Sequence, residues 1–260
     1  MNSNYTVILG AEGEMGKALA REVASKGCNL ILISTTSIDL LRFAIGLQLK
    51  HDIQAHAIKL DLTNQDEIHD LTQRIKDQYE VRALINNITC DWSSRKNMCI
   101  SELATDDFQT RFRGAALFTM NLLPRMKELS PSFIQHIIPF PFRKEQFNTD
   151  LQHSVAKMYA FTKELEEGLK HAGVSVSMVH PAPIKSIMIQ MENIGRIFEE
   201  DIQLMAPGLI AKKAVNGMLR GDRLIIPGLR NKVYFYLNRH ATSWFRDVEE
   251  TLDSGLQPSM

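Results

Sequence analysis

The chain has 260 residues, 44% of them apolar and 23% charged, which suits an ordinary soluble globular protein of one large or two small α/β domains. Thirty basic and thirty acidic side chains cancel, so no global field recruits nucleic acid or an anionic surface. No apolar run approaches about 18 residues, which excludes a membrane-spanning helix.

In chain order, short β-branched runs alternate with longer amphipathic stretches. "YTVIL" (Tyr5–Leu9) reads as a buried strand, followed by a helix from about Gly13 to Lys26. "NLILIS" (Asn29–Ser34) is a second strand, with a helix from about Ile38 to Lys50 behind it. "AHAIKL" (Ala55–Leu60) is a third, then a polar helix to about Tyr79, and "RALIN" (Arg82–Asn86) a fourth. A long helical region spans about Glu102 to Leu129, and "SFIQHII" (Ser132–Ile138) makes a fifth strand. A helix carrying His153 and Lys157 runs to about His171, "VSVSMV" (Val174–Val179) is a sixth strand, and "RLIIP" (Arg223–Pro227) adds a seventh. Nearly continuous apolar strands separated by helices mean a parallel sheet covered on both faces. A right-handed series of this length gives one doubly wound, Rossmann-type α/β domain over residues 1–250, with a C-terminal helix at 229–246 and a tail at 251–260.

"LGAEGEMG" sets Gly10, Gly13 and Gly16 between the first strand and its helix. That context predicts a dinucleotide loop: Gly10 for the turn, Gly13 for backbone approach to a pyrophosphate, Gly16 for packing of helix on strand. Met15 falls in the same loop. Glu12 and Glu14 oppose this reading, since a carboxylate facing the phosphates at about 4–6 Å would weaken binding by about a kcal/mol or more. "ISTTS" ends the second strand with Thr35 and Thr36 where an acidic residue would grip the adenosine ribose. Without that acid a 2′-phosphate meets no repulsion, so NADP(H) is favoured over NAD(H).

Cys28, Cys90 and Cys99 form no C-x-x-C pair, and free thiols in a reducing compartment are expected. The N-terminus lacks the basic start and long apolar core of a signal peptide. A cytoplasmic protein is expected. The scattered histidines form no metal-ligand spacing, so no metal site is expected.

With these residues in hand, the chain resembles the short-chain dehydrogenase/reductase family over nearly its full length. The glycine loop, "LDLTN" (Leu60–Asn64), "INNIT" (Ile85–Thr89), "GAALFTMNLLPRM" (Gly114–Met126) and "HPAPIKS" (His180–Ser186) match family motifs in order. The resemblance implies an oxidoreductase with a nicotinamide dinucleotide held by Gly10, Gly13, Met15, Gly16, Thr35, Thr36, Asp61, Leu62, Asn87, Lys157 and Pro181. It implies a homodimer or homotetramer through the helices at Gly114–Met126 and Ser154–His171, and an apolar or carbonyl ligand.

The family moves its proton with an Asn, a Ser, a Tyr and a Lys. Here the Asn position falls on Arg111, the Ser position on Ile138 or Pro139, and the Tyr position on His153; only Lys157 remains. Imidazole is shorter than phenol, and like charge from Lys157 would lower its pKa, so His153 is a weak substitute acid. Ordinary carbonyl reduction is expected to be weak or lost. The alternatives are an active reductase using His153, Lys157 and a water, or a cofactor-free partner-binding protein. Tyr159 points about 200° away from Lys157 on a helix and reads as an interface aromatic. The segment Leu229–Arg246 interleaves Arg230, Lys232, Arg239 and Arg246 with five aromatic residues.

Overall fold

The apolar runs form strands: β1 Asn4–Leu9, β2 Asn29–Ser34, β3 Ala55–Lys59, β4 Glu80–Asn86, β5 Ser132–Ile137, β6 Val174–Val179 and a short β7 Leu224–Ile225. The structure, a computed structural model, describes residues 4–35, 38–87, 105–138, 149–181 and 205–238. The strands make one sheet in the order β3-β2-β1-β4-β5-β6-β7. Every pairing is parallel. Between them lie α1 Glu14–Ala24, α2 Ile38–His51, α3 Gln65–Gln78, α4 Thr105–Glu128, α5 Thr149–Leu169, α6 Pro207–Arg220 and α7 Leu229–Asn238.

Because successive side chains on a strand point to opposite faces, a sheet covered on both sides needs two cores. Val7, Leu9, Ile31, Ile33, Leu84 and Ile134 face one, closed by Phe118 and Leu122 of α4 and Met158 of α5. Ile8, Leu30, Leu32 and Ile85 face the other, closed by Leu19 and Val23 of α1, Leu47 of α2 and Ile210 of α6. Fully burying such a side chain stabilises by roughly 1.5–3 kcal/mol, so these strands are held chiefly by their apolar faces.

Local signals account for the helix ends. The Asn64 side chain accepts from the backbone N–H groups of Asp66 and Glu67, satisfying two of the orphan donors that start α3. Helix α6 was not expected from the apolar pattern. It opens on Pro207 and closes on Gly221 in the left-handed conformation, φ 77°, the start-and-stop pair that marks a helix from sequence. It packs against α1 and covers β5 from the second face, where Gln135 Nε2 donates to the Ala214 carbonyl at 2.9 Å. The predicted C-terminal helix is present over Leu229–Asn238; residues 239–246 and the tail lie outside the described residues.

The order places β1 and β4 side by side although two strands separate them in sequence. The connections after β1 and β4 run to opposite sides, opening a crevice at the carboxyl ends of these strands. Gly10 and Asn87 meet at that crevice.

Candidate dinucleotide and active site

Gly10 follows β1 with φ 69°, a conformation that glycine adopts without penalty. A Cβ there would sit 1.9 Å from the Asn87 carbonyl oxygen. Asn87, just past β4, ties the two strand ends together: its backbone N–H donates to the Leu9 carbonyl at 3.1 Å and its side-chain amide to the Gly10 carbonyl at 2.8 Å. The residue read as a cofactor contact therefore also positions the loop. Gly16 has a second close approach, its absent Cβ lying 2.2 Å from the Gly10 carbonyl oxygen. This is what seats α1 against the turn. Gly13 occupies the N-cap of α1 in extended backbone and offers no capping side chain, so N–H groups of the first turn remain available to an anion. The Met15 side chain is buried in the second core.

The two loop carboxylates behave differently. Glu14 is exposed in the first turn of α1. Glu12 is only partly exposed, and its Oε2 is shut off from solvent without a hydrogen-bond partner. A buried carboxylate oxygen with no donor is costly, and it lies one residue from the N-cap that would face phosphates. Sequence reading raised both acids; only the packing separates them.

Thr35 is exposed beyond β2, while Thr36 lies outside the described residues. Asp61, beyond β3, accepts from the Thr63 backbone N–H at 2.9 Å. That bond, followed by one from the Thr63 side chain and by the charges of Lys59 and Arg111, holds its carboxyl below the usual carboxylate range. Arg111 on α4 thus lies within electrostatic reach of the predicted adenine-side loop. The same approach explains Gly114: a Cβ there would fall 2.1 Å from the Leu62 carbonyl oxygen. The sequence marks Gly114 only as a landmark of the long helix. Its role is to let α4 lie directly on the loop carrying Asp61 and Leu62.

The end of β5 is where the sequence resemblance sets the family's hydroxyl on Ile138 or Pro139. Ile138 is fully buried, its N–H donates to the Val179 carbonyl at 2.9 Å, and its carbonyl accepts from His180 Nδ1 at 3.0 Å. Nothing on this residue is left to polarise a carbonyl. Pro139 lies outside the described residues. On α5, Lys157 is exposed one turn beyond His153; the placement of the His153 side chain is outside what is described. Tyr159 is buried, with its ring parallel to His180 at 6.3 Å between centroids. It is a core aromatic, not an interface one, and it points away from Lys157 as helical spacing requires. His180 also stacks on Phe235 of α7 at 5.3 Å, and Pro181, partly exposed, follows it beyond β6.

His136 and His180 are fully buried, and burial pushes both imidazoles down to about 4. His136 donates from Nδ1 to the Thr162 hydroxyl at 2.6 Å, because that hydroxyl itself donates to the Met158 carbonyl at 2.7 Å. Among the described residues no group of three His, Cys, Asp or Glu side chains could hold a metal ion. The described groove of about 520 Å³ at the β3 edge is lined by Leu41, Ile45, His56 and Tyr79 among others, and contains none of the candidate residues.

A doubly wound parallel sheet, a glycine turn at its switch point and an asparagine clamp across the crevice define the class of dinucleotide-binding α/β domains. The family model for short chain dehydrogenases matches residues 4–196, and the chain belongs to that family. It is 29% identical to retinol dehydrogenase 12 of Mus musculus over 203 residues, 69% of this chain and 61% of that protein. A very-long-chain 3-oxoacyl-CoA reductase of Aspergillus fumigatus is 22% identical over 223 residues, 82% of this chain and 63% of the relative. The chain thus spans about three fifths of the length of these curated relatives. Among solved structures, a short-chain dehydrogenase from Sphingobium yanoikuyae in complex with NADPH superposes with a TM-score of 0.73 at 17% identity, covering 99% of this chain and 97% of that one. A bulky-bulky ketone specific alcohol dehydrogenase from Comamonas testosteroni gives 0.72 at 17% identity, covering 100% and 97%. Among the described residues no helix is long and apolar enough to cross a membrane.

Proposed function

We propose that the chain binds a nicotinamide dinucleotide in the β1/β4 crevice and has a depleted proton-transfer site, so that ordinary carbonyl reduction is weak or lost. The observation that carries this reading is Ile138, one of the two positions the resemblance gives to the family's hydroxyl, a buried aliphatic side chain with both backbone groups engaged. The Gly10–Asn87 junction, the α1 N-terminus and Gly16 suit a pyrophosphate. Thr35, with no acid beside it between Ser34 and Ser37, suits NADP(H) over NAD(H). Pro181 lines the rim, and Asp61 and Leu62 take the adenine side.

The dinucleotide, when bound, supplies hydride transfer. Of the proton-handling residues this chain keeps Lys157, whose exposed ammonium is suited to hold a ribose hydroxyl on the cofactor. His153 and Arg111 stand where the family has its acid and its asparagine. Loss of a positioned acid removes about 10²–10⁴-fold in rate, and loss of a polarising donor about 10²–10³-fold. A homodimer or homotetramer through α4 and α5, around the exposed Met120, completes the proposal.

A second reading, a cofactor-free partner-binding protein, is favoured by the shielded oxygen of Glu12. Titration of the purified chain with NADPH and NADH, followed by cofactor fluorescence and calorimetry, separates the two. The proposal expects micromolar binding, with Glu12→Gln tightening it by about ten-fold through loss of one repulsive charge. No binding of either cofactor up to millimolar, by wild type or by Glu12→Gln, would leave only the cofactor-free reading. With cofactor bound, His153→Ala is expected to leave any residual carbonyl turnover unchanged. A fall of about 100-fold or more would instead make His153 the working acid.

A further inference from the structure

Helix α7 is anchored by one side only. Asn231 and Phe235 are buried, Phe235 against His180, and the Asn231 amide donates to the Pro227 carbonyl at 3.1 Å. On the opposite side Leu229, Val233, Tyr236 and Leu237 are 77%, 51%, 49% and 73% exposed. At about 100° per residue these four fall within a sector of about 100°, and the exposed Arg230 and Lys232 flank it on either side. An apolar stripe edged by cations on a helix lying flat on the protein is the arrangement that seats in a headgroup layer.

We propose that this face of α7 docks on an anionic lipid surface. Charge selects that occupant over a second copy of the chain. Although the whole chain is neutral, no acidic residue occurs in sequence between Asp222 and Asp247, while Arg230, Lys232, Arg239 and Arg246 do; Arg223, which begins the stretch, is ion-paired with Glu166 at 2.9 Å. An isologous pairing of two α7 helices would bring Arg230 and Lys232 of both copies together with no acid on the stripe to oppose them. A phosphatidylserine surface supplies that opposing charge at about 1 kcal/mol per cation, and its acyl boundary takes the leucines. Through Phe235 and His180 the docked helix adjoins Pro181, so the rim of the crevice would lie beside the bilayer. The docking does not depend on cofactor binding.

The test is co-sedimentation of the full chain with phosphatidylcholine vesicles containing or lacking phosphatidylserine, at low and high salt. Binding is expected only to the anionic vesicles and is expected to fall steeply with salt. Arg230→Glu with Lys232→Glu, and separately Leu229→Ser with Leu237→Ser, should each weaken it at least ten-fold. Leu49→Ser, at the exposed end of a different helix, should not; circular dichroism confirms that each variant folds. Absence of pelleting with anionic vesicles at low salt overturns the proposal, as does equal binding by the α7 variants. So does a leucine variant that turns an oligomer into a monomer in light scattering while lipid binding stays the same.

Discussion

Gly10→Ala is expected to destabilise the fold by about 3 kcal/mol or more and to abolish dinucleotide binding. Two costs coincide there. A side chain at φ 69° carries the left-handed penalty of about 1–2 kcal/mol. The new methyl would also lie 1.9 Å from the Asn87 carbonyl oxygen. Because that oxygen belongs to backbone at the end of a buried strand, relief requires β1 and β4 to separate at their carboxyl ends. That breaks the Asn87 bonds to Leu9 and Gly10 and distorts the turn proposed to receive phosphates. Gly46→Ala is the matched control. It sits inside α2 with nothing within 4 Å of the added carbon, and should stabilise by about 0.5–1 kcal/mol through helix propensity. Urea unfolding of both variants checks the pair; equal midpoints for Gly10→Ala and wild type would contradict the close approach.

The second large effect is acid lability. His136 and His180 have imidazoles lowered from 6.5 to about 4 by burial in the core. Between those values the unfolded chain binds a proton that the folded chain refuses, so stability falls as pH drops from about 6.5 and the loss is complete near about pH 4. At 1.36 kcal/mol per pH unit, each histidine removes roughly 3 kcal/mol over that span. Two such groups take away a large part of a typical domain's margin of about 5–15 kcal/mol. Unfolding free energies measured at about pH 7.5 and about pH 5 should therefore differ by several kcal/mol. His136→Gln should flatten that dependence even if it lowers stability near neutrality, since it removes a titrating group while keeping a donor for Thr162. A flat profile down to about pH 4.5 in the wild type would show that neither imidazole is held neutral by the fold.

Much of this molecule is legible in its residues. The run "NLILIS" has an unbroken apolar centre, so it belongs in a sheet covered on both faces, whereas "VSVSMV" alternates through Ser175 and Ser177 and only its burial shows both faces covered; they form β2 and β6 with the same bounds. The glycine turn follows from context, because three glycines at this spacing sit between an apolar strand run and an amphipathic helical stretch. Helix α6 is marked in the sequence by Pro207 and Gly221, the start-and-stop pair that bounds it.

What the chain determines by itself, then, is the periodicity of its elements and the parallel sheet. These are matters of residue type and position along one dimension. Tertiary structure decided which carboxylate matters, because Glu12 and Glu14 are chemically alike and differ only in what covers them. It also turned Asn87 into a clamp on Gly10 and brought Arg111 and Gly114 to the loop of Asp61 and Leu62. It buried His136, His180 and Tyr159 while leaving Leu229, Val233 and Leu237 outside. The reason is that burial and approach distance depend on which elements meet across the sheet, and contacts between residues far apart in sequence are set by packing rather than by any local pattern.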